Sequence, residues 1–530
     1  MGPAHCAKKT FLADFAGRLS WPMDCGGAAG TIRSVALLIW SARRFCPSHS
    51  MPKSATALHA TTALAIALSG FSPVAGARDT LPPPAVTRAM KEFGVPAAHL
   101  SIHVRDASSG ETLLDLNDNE PRSPASTIKV LTTFAALDSL GPAYTWKTRI
   151  YLGGRLANGV LSGDLILVGG GDPYMTSERW WSLVQDVREL GVAKITGDIV
   201  IDNSYFAPIP ATRADFDDQP WRSYNVLPDA LMVNFQTSRF TLIANPQRMR
   251  PQIVVNPLPA NLVLKNQVQV GLGKCQGRDR GVSFEAPPDD PTTLVVSGGF
   301  AAACGNYSVS RAIMTAPAYA YGTFRTLWTQ SGGAIDGALR IAALRADATL
   351  LYAYDSLPLT EIIRLVNKYS NNVMARTLLL TLGAEKFGPP ATAQSGRDAV
   401  QAWLASRNIR IPGLVLENGS GLSRTEKITA RGLADVLHTA WHSPFMPEFA
   451  ASLPLAATDG TLRNRFAAAG MQGRLRLKTG RIDDVSAIAG FVNAASGKTY
   501  VVVVIVNHPA AQAGAGEAIQ GELIRWVFGQ

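Results

Sequence analysis

Cysteine is scarce. The 530 residues hold five, with no C-x-x-C pair and no H-E-x-x-H run, so structural zinc and zincin chemistry lack a ligand set. The eight histidines follow no ligand pattern. His438 and His442 are four apart but have no third partner, and His99, His103 and His508 stand alone. Gly169-Gly170-Gly171-Asp172-Pro173 is glycine-rich, yet no G-K-[ST] follows it, which excludes a phosphate loop there. No G-x-S-x-G occurs, so the nucleophile elbow of an α/β-hydrolase is absent. Glycine and proline together make up about 15%, too little for low complexity, and no apolar run is long enough to favour a membrane span. What remains is ordinary globular composition, 47% apolar and 17% charged, in a chain long enough for two or more domains.

The first 77 residues do not read as fold. Met51-Pro52-Lys53 is a short basic start, 55–71 is apolar, and Ala75-Gly76-Ala77 is a small-x-small cleavage pattern before Arg78. That layout is a secretory leader at 51–77, cleaved after Ala77, and it predicts a periplasmic protein. Residues 1–50 then have no role, and we read them as a spurious extension with Met51 as the true start. The remaining 453 residues carry 43 basic against 38 acidic side chains, too small an excess for a nucleic-acid binder. Cys6, Cys25 and Cys46 fall in the discarded part. Cys275 and Cys304 remain, and in an exported chain they suggest one disulfide closing a loop of about 30 residues; two free thiols are the alternative.

Along the mature chain, 99–117 reads as a hairpin with alternating apolar residues and a turn at Ser108-Ser109-Gly110. A helix follows, with Ser123 as N-cap, Pro124 at its first position and Gly141-Pro142 as its stop. Through 148–343 the texture is short β-like runs (149–152, 164–168, 197–202, 239–244, 252–255, 261–270, 292–297) interrupted by one helix at 177–190. Trp180, Trp181 and Trp221 read as packing aromatics. We take this stretch as an inserted, mostly β region of one or two small domains. Helical texture returns at 359–382, with Ile362, Val366, Tyr369, Val373 and Thr377 on one stripe, and again at 396–407 and 429–441. Strands are expected at 474–477, 487–493 and 500–507, and a closing helix at 516–528 should pack on the sheet.

Three short motifs carry chemistry. Ser126-Thr127-Ile128-Lys129 is an S-x-x-K at a helix start, which puts hydroxyl and amine on one face. Serine needs a base, and a lysine neutralised by burial and a neighbouring cation can serve. Ser370-Asn371-Asn372 is an S-x-N that can relay a proton and hold a substrate carbonyl; Tyr369-Ser370-Asn371 offers a rival Y-x-N register, and Ser223-Tyr224-Asn225 a second S-x-N. Lys478-Thr479-Gly480 follows an alternating strand, where a cation and a hydroxyl can meet a carboxylate and glycine admits substrate backbone. Each is weak alone. In this order, on these elements, they match the set used by β-lactamases and penicillin-binding proteins. Ser126 and Ser370 are 244 residues apart, far more than a compact β-lactamase needs, and the insertion accounts for the distance.

In these motifs the chain resembles the class C low-molecular-mass penicillin-binding proteins, peptidase family S13, of penicillin-binding protein 4 type. Asn418-Gly419-Ser420-Gly421-Leu422-Ser423-Arg424 resembles the family's D-G-S-G-L-S-R stretch, and Asp459-Gly460-Thr461-Leu462 another block. The resemblance implies an α+β fold: a β-lactamase/transpeptidase-like domain from 78–147 and 344–530, an antiparallel sheet flanked by helices, carrying the inserted region. It implies a serine-type D-Ala-D-Ala carboxypeptidase and DD-endopeptidase of peptidoglycan stem peptides, acylated by β-lactams and needing no cofactor. Ser126 would be the nucleophile, Lys129 its base, and Ser370 and Asn372 the proton-transfer and positioning pair. Lys478, Thr479, Gly480, Arg481 and Ser420 would bind substrate, with the amides of Ser126 and Arg481 forming the oxyanion hole. Asn371 and Asn418 stand where the family has Asp, and Arg481 where it has Ser or Thr. Membrane association and a homodimer stay open. The rival functions are a β-lactamase or esterase on the same fold, or a non-catalytic peptidoglycan-binding relic.

Overall fold

In the computed structural model residues 81–530 are described, apart from Pro246, Pro288, Pro291 and Ala469. The residues read as an extension (1–50) and as a leader (51–77) lie outside the described residues. The chain enters through α1 (Pro84–Glu92), and β1 (Leu100–Asp106) and β2 (Thr112–Leu116) form the expected hairpin. The next helix begins later than its sequence signals. A short 3-10 turn, Ala125–Ile128, leads into α2 (Lys129–Leu140), which Gly141 ends at φ 82. Ser123 does not cap it: its Oγ is buried without a partner. Ala125 takes φ 43, a left-handed step that a regular helix start cannot hold. The Ser123 backbone is instead pinned by the Asn507 amide side chain, at 2.9 and 3.0 Å.

The inserted stretch, together with the residues up to 355 that follow its expected end at 343, supplies β3 (Lys147–Ala157), β4 (Val160–Val168), β5 (Lys194–Ile195), β6 (Ile199–Asp202), β7 (Thr237–Ile243), β8 (Gln252–Asn256), β9 (Val263–Asn266), β10 (Gln269–Gly271), β11 (Val282–Glu285), β12 (Thr293–Ala301), β13 (Asn306–Ala312), β14 (Ala334–Ile335), β15 (Leu339–Ile341) and β16 (Thr349–Asp355). They form a seven-stranded sheet around β14-β5-β4-β3-β16, a four-stranded sheet around β12, and the triplet β13-β7-β8. The single strand expected over 261–270 is two, β9 and β10. Two helices lie here, not one: α3 (Ser177–Glu189) and α4 (Ala316–Gln330). In α4 the residues 319–324 are buried without a break, so its apolar residues do not mark one face and the helical period is masked. Trp180 of α3 packs edge-on against Phe324 of α4, which stacks on Trp328.

After the insertion come α5 (Leu359–Tyr369), α6 (Asn372–Phe387), α7 (Ala393–Ser406), α8 (Ala430–Trp441) and α9 (Met446–Ser452). The stripe expected to run through 359–382 is broken at Ser370, which takes φ 58, and Tyr369 is 70% exposed instead of lying on the buried face. β17 (Leu475–Ile482), β18 (Val485–Asn493), β19 (Thr499–Asn507) and α10 (Ala515–Phe528) complete the chain. These strands make an antiparallel sheet in the order β17-β18-β19-β1-β2.

Period-two alternation splits that sheet between two cores. Ala487, Ala489, Phe491, Val501, Val503 and Ile505 face the cluster built on α2, α5 and α8. Ile488, Val492, Val502, Val504 and Val506 face the one built on α1 and α10. A strand covered on both faces carries an unbroken apolar run, as residues 500–506 do. The chain is thus α+β, with helices on both faces of an antiparallel sheet.

Candidate active site

The 3-10 turn presents Ser126 half-buried at the mouth of a cleft, and Lys129 follows one turn on, fully buried. Lys129 Nζ lies 3.0 Å from Ser126 Oγ and 2.8 Å from Asn372 Oδ1, and it also donates to the Ser420 carbonyl. A neutral amine has two N–H donors and one lone pair. With the two carbonyl oxygens taking the donors, the lone pair is left for the Ser126 proton. Burial pushes the Lys129 amine well below its ordinary range, and the Lys478 charge adds to this.

Asn372 is held in one orientation, since its Nδ2 donates to the Tyr224 carbonyl at 3.3 Å. The rival motif Ser223-Tyr224-Asn225 therefore reaches the site through its backbone. Asn371, where the family has Asp, caps α6 by accepting from the Met374 N–H at 3.1 Å; an amide oxygen does this as well as a carboxylate. Ser370 is the left-handed joint between α5 and α6, and its hydroxyl accepts from Lys478 Nζ at 2.9 Å. The exposed Tyr369 makes no such contact, so it is Ser370 and Asn372 that meet the two lysines.

Lys478 sits on β17, fully buried, and also donates to the Thr479 carbonyl at 2.7 Å. Burial pushes its amine down to about 7. Thr479 Oγ1 donates to Thr461 Oγ1 at 2.8 Å. Gly480 is required by close approach: a Cβ there would lie 2.5 Å from the Pro124 oxygen and 3.0 Å from the Ser126 nitrogen. The bare backbone of β17 thereby runs beside the Ser126 amide. Arg481 donates to the Gln512 carbonyl at 3.0 Å, with Glu517 at 3.8 Å.

Ser420 is placed differently from its reading as a substrate contact. It is fully buried, and its hydroxyl donates to Asn418 Oδ1 at 2.6 Å; its carbonyl is what meets Lys129 and Ser126. Asn418, again where the family has Asp, keeps the acceptor this turn needs. Sequence reasoning missed Glu426. This buried carboxylate accepts from the N–H groups of residues 417, 418, 419 and 421 at 2.8–3.1 Å, folding the loop around itself. Burial pushes it up while those donors pull it back. Nothing in the local pattern marks it, because the four amides are gathered only when the loop closes. Gly421, at φ 79, lets the loop touch the nucleophile turn: a Cβ there would meet the Ala125 oxygen at 2.1 Å. The cleft has a volume of about 310 Å³ and is lined by Ser126, Ser370, Thr461, Thr479, Gly480 and Arg481 among others. Among the described residues no cluster of three or more His, Cys, Asp or Glu could hold a metal ion.

The model of the D-Ala-D-Ala carboxypeptidase 3 (S13) family matches residues 85–527. The chain belongs to that family. It is a serine-type hydrolase of the D-Ala-D-Ala carboxypeptidase class. The D-alanyl-D-alanine carboxypeptidase of Actinomadura sp. (strain R39) is 28% identical over 479 residues, covering 86% of this chain and 87% of that one. The D-alanyl-D-alanine carboxypeptidase DacB of Haemophilus influenzae is 26% identical over 412 residues, 76% of this chain and 84% of that one. The crystal structure of penicillin binding protein 4 (dacB) from Haemophilus influenzae superposes with a TM-score of 0.73 at 23% identity, over 84% of this chain and 99% of that one. A second structure of it, complexed with a β-lactam, gives 0.69.

Proposed function

We propose that Ser126 is the nucleophile of this hydrolase and Lys129 its general base. The observation that carries this is the buried Lys129 amine, with two acceptors on its N–H groups and Ser126 Oγ 3.0 Å away. As Ser126 Oγ bonds to the carbonyl carbon of the penultimate D-Ala, its proton moves to Lys129 Nζ. The C–N bond then breaks, the leaving amine takes that proton, and water hydrolyses the ester with Lys129 again as base. Asn372 holds Lys129 and the substrate carbonyl. Ser370 links Lys478 to the cleft, and Lys478 with Thr479 takes the substrate's terminal carboxylate. The Ser126 and Arg481 amides stabilise the oxyanion.

β-Lactams acylate the same serine, a reading supported by the β-lactam complex of the Haemophilus influenzae protein. The substrate is the stem peptide of peptidoglycan. We divide the chain into a catalytic unit, 78–147 and 344–530, and an inserted region, 148–343. It works in the periplasm after cleavage at Ala77, where Cys275 and Cys304 form a disulfide; their Sγ atoms are 2.12 Å apart. Among the described residues no helix is long and apolar enough to cross a membrane. The test is fluorescent-penicillin labelling of wild type beside Ser126→Ala, followed by mass spectrometry of products from a muropeptide dimer. Equal labelling of the two proteins would overturn the assignment.

A further inference from the structure

Besides Ser126, Ser370 and Thr479, the cleft is lined by Arg481, Arg465 and Glu517, and its volume of about 310 Å³ equals roughly ten waters at ~30 Å³ each. D-Ala has six non-hydrogen atoms and one carboxylate, and Lys478 with Thr479 already accounts for that carboxylate.

The charges of Arg481, Arg465 and Glu517 do not cancel. Two guanidiniums share one carboxylate. Arg465 donates to Gln520 Oε1 at 3.2 Å, and Gln520 in turn donates to Ser486 Oγ at 2.9 Å, so the Arg465 head is fixed from beneath. Burial, with the Arg481 charge opposing it as well, holds the Arg465 guanidinium below its ordinary range, and only Glu517 pulls the other way. The Arg481–Glu517 pair is long at 3.8 Å, with both side chains more than half exposed. An exposed pair of that geometry is worth little, so Arg481, whose other partner is the Gln512 carbonyl at 3.0 Å, can exchange Glu517 for a better-placed anion. Two guanidiniums at one cleft end suit carboxylate recognition, since each presents a planar fork of donors.

We infer that Arg481 and Arg465 form a leaving-group subsite for a residue bearing a second carboxylate. The enzyme would then prefer to cleave D-Ala from an acidic leaving residue over a simple terminal D-Ala. Arg481 and Arg465 act here as specificity residues, and the bond broken is the amide described above. The inference rests on the proposed role of Ser126, and the test separates the two.

The probes are an N-acylated D-Ala-D-Ala peptide and its D-Ala-D-Glu counterpart, whose leaving residue adds one carboxylate. Wild type is expected to favour the D-Glu peptide about tenfold in kcat/KM, mostly through KM, as for binding shared by ground and transition states. Arg465→Gln and Arg481→Thr should each lower that ratio toward one, and Glu517→Gln should raise it. Penicillin labelling of each variant verifies an intact cleft, and the Glu517 variant keeps the test decisive if an arginine variant does not fold. A wild type that cleaves the D-Ala peptide at least as well as the D-Glu peptide overturns the subsite and leaves Ser126 standing. So does a ratio that none of the three substitutions moves. Cleavage of neither peptide, with no labelling of Ser126, overturns both readings.

Discussion

The two ends of the cleft are built on opposite principles. At the Ser126 end both amines are wholly buried, each with at least two acceptors, and the neighbours come from the Ala125–Ile128 turn, the joint between α5 and α6, α6, β17 and the loop at 417–421. At the other end the Arg481 and Glu517 side chains are more than half exposed and their ion pair is loose, while Arg465 is held by Gln520. Burial is what neutralises lysine and so creates a base. Exposure leaves arginine charged and free to exchange partners. The first end serves a single reaction geometry, and the second can adapt to what leaves.

This contrast predicts a steep fall in the effect of substitution from one end of the molecule to the other. Ser126→Ala should abolish penicillin labelling and cut D-Ala release by on the order of 10⁵-fold or more with no change in melting temperature. Lys129→Met keeps the volume but removes the base, and acylation should fall by roughly 10³-fold, the scale of a general base, in stopped-flow or gel labelling. Labelling that survives either change would break the contrast.

Lys478 sharpens it through pH. Its amine titrates at about 7, so kcat/KM for a carboxylate-ended peptide should fall as pH rises through that value and the charge is lost. Lys478→Arg, charged at every working pH, should lose this alkaline limb in a pH profile. The same shift acts on stability. The folded chain releases this proton near 7 and the unfolded chain near an ordinary lysine value, so from this group unfolding free energy should rise with pH between the two, measured by urea titration. Smallest for activity is the insertion: reducing Cys275–Cys304, which closes a 29-residue separation, should cost about 3 kcal/mol in urea unfolding while labelling of Ser126 stays within about twofold. A large loss of labelling would show that the insertion shapes the cleft directly.

Some of this was legible along the chain. The hairpin at 99–117, the apolar strand at 500–507 and the helix expected over 429–441 follow from local period. The three motifs were each visible because each lies within four consecutive residues. Less legible were features decided by distant partners. Ser123 has every mark of an N-cap, yet Asn507, hundreds of residues on, holds its backbone. The stripe through 359–382 breaks at Ser370, whose hydroxyl meets Lys478 and whose next residue caps a new helix. α4 hid its period because it is buried around most of its girth.

Residue types and short-range spacing determined the reaction class, since a hydroxyl and an amine one turn apart need only a local helix to meet. Which lysine is neutral, which serine faces the cleft and which only its carbonyl, and that Glu426 gathers four amides, were decided by the tertiary structure. Desolvation and hydrogen-bond saturation depend on what surrounds a group, and here those surroundings come from segments far apart in the chain.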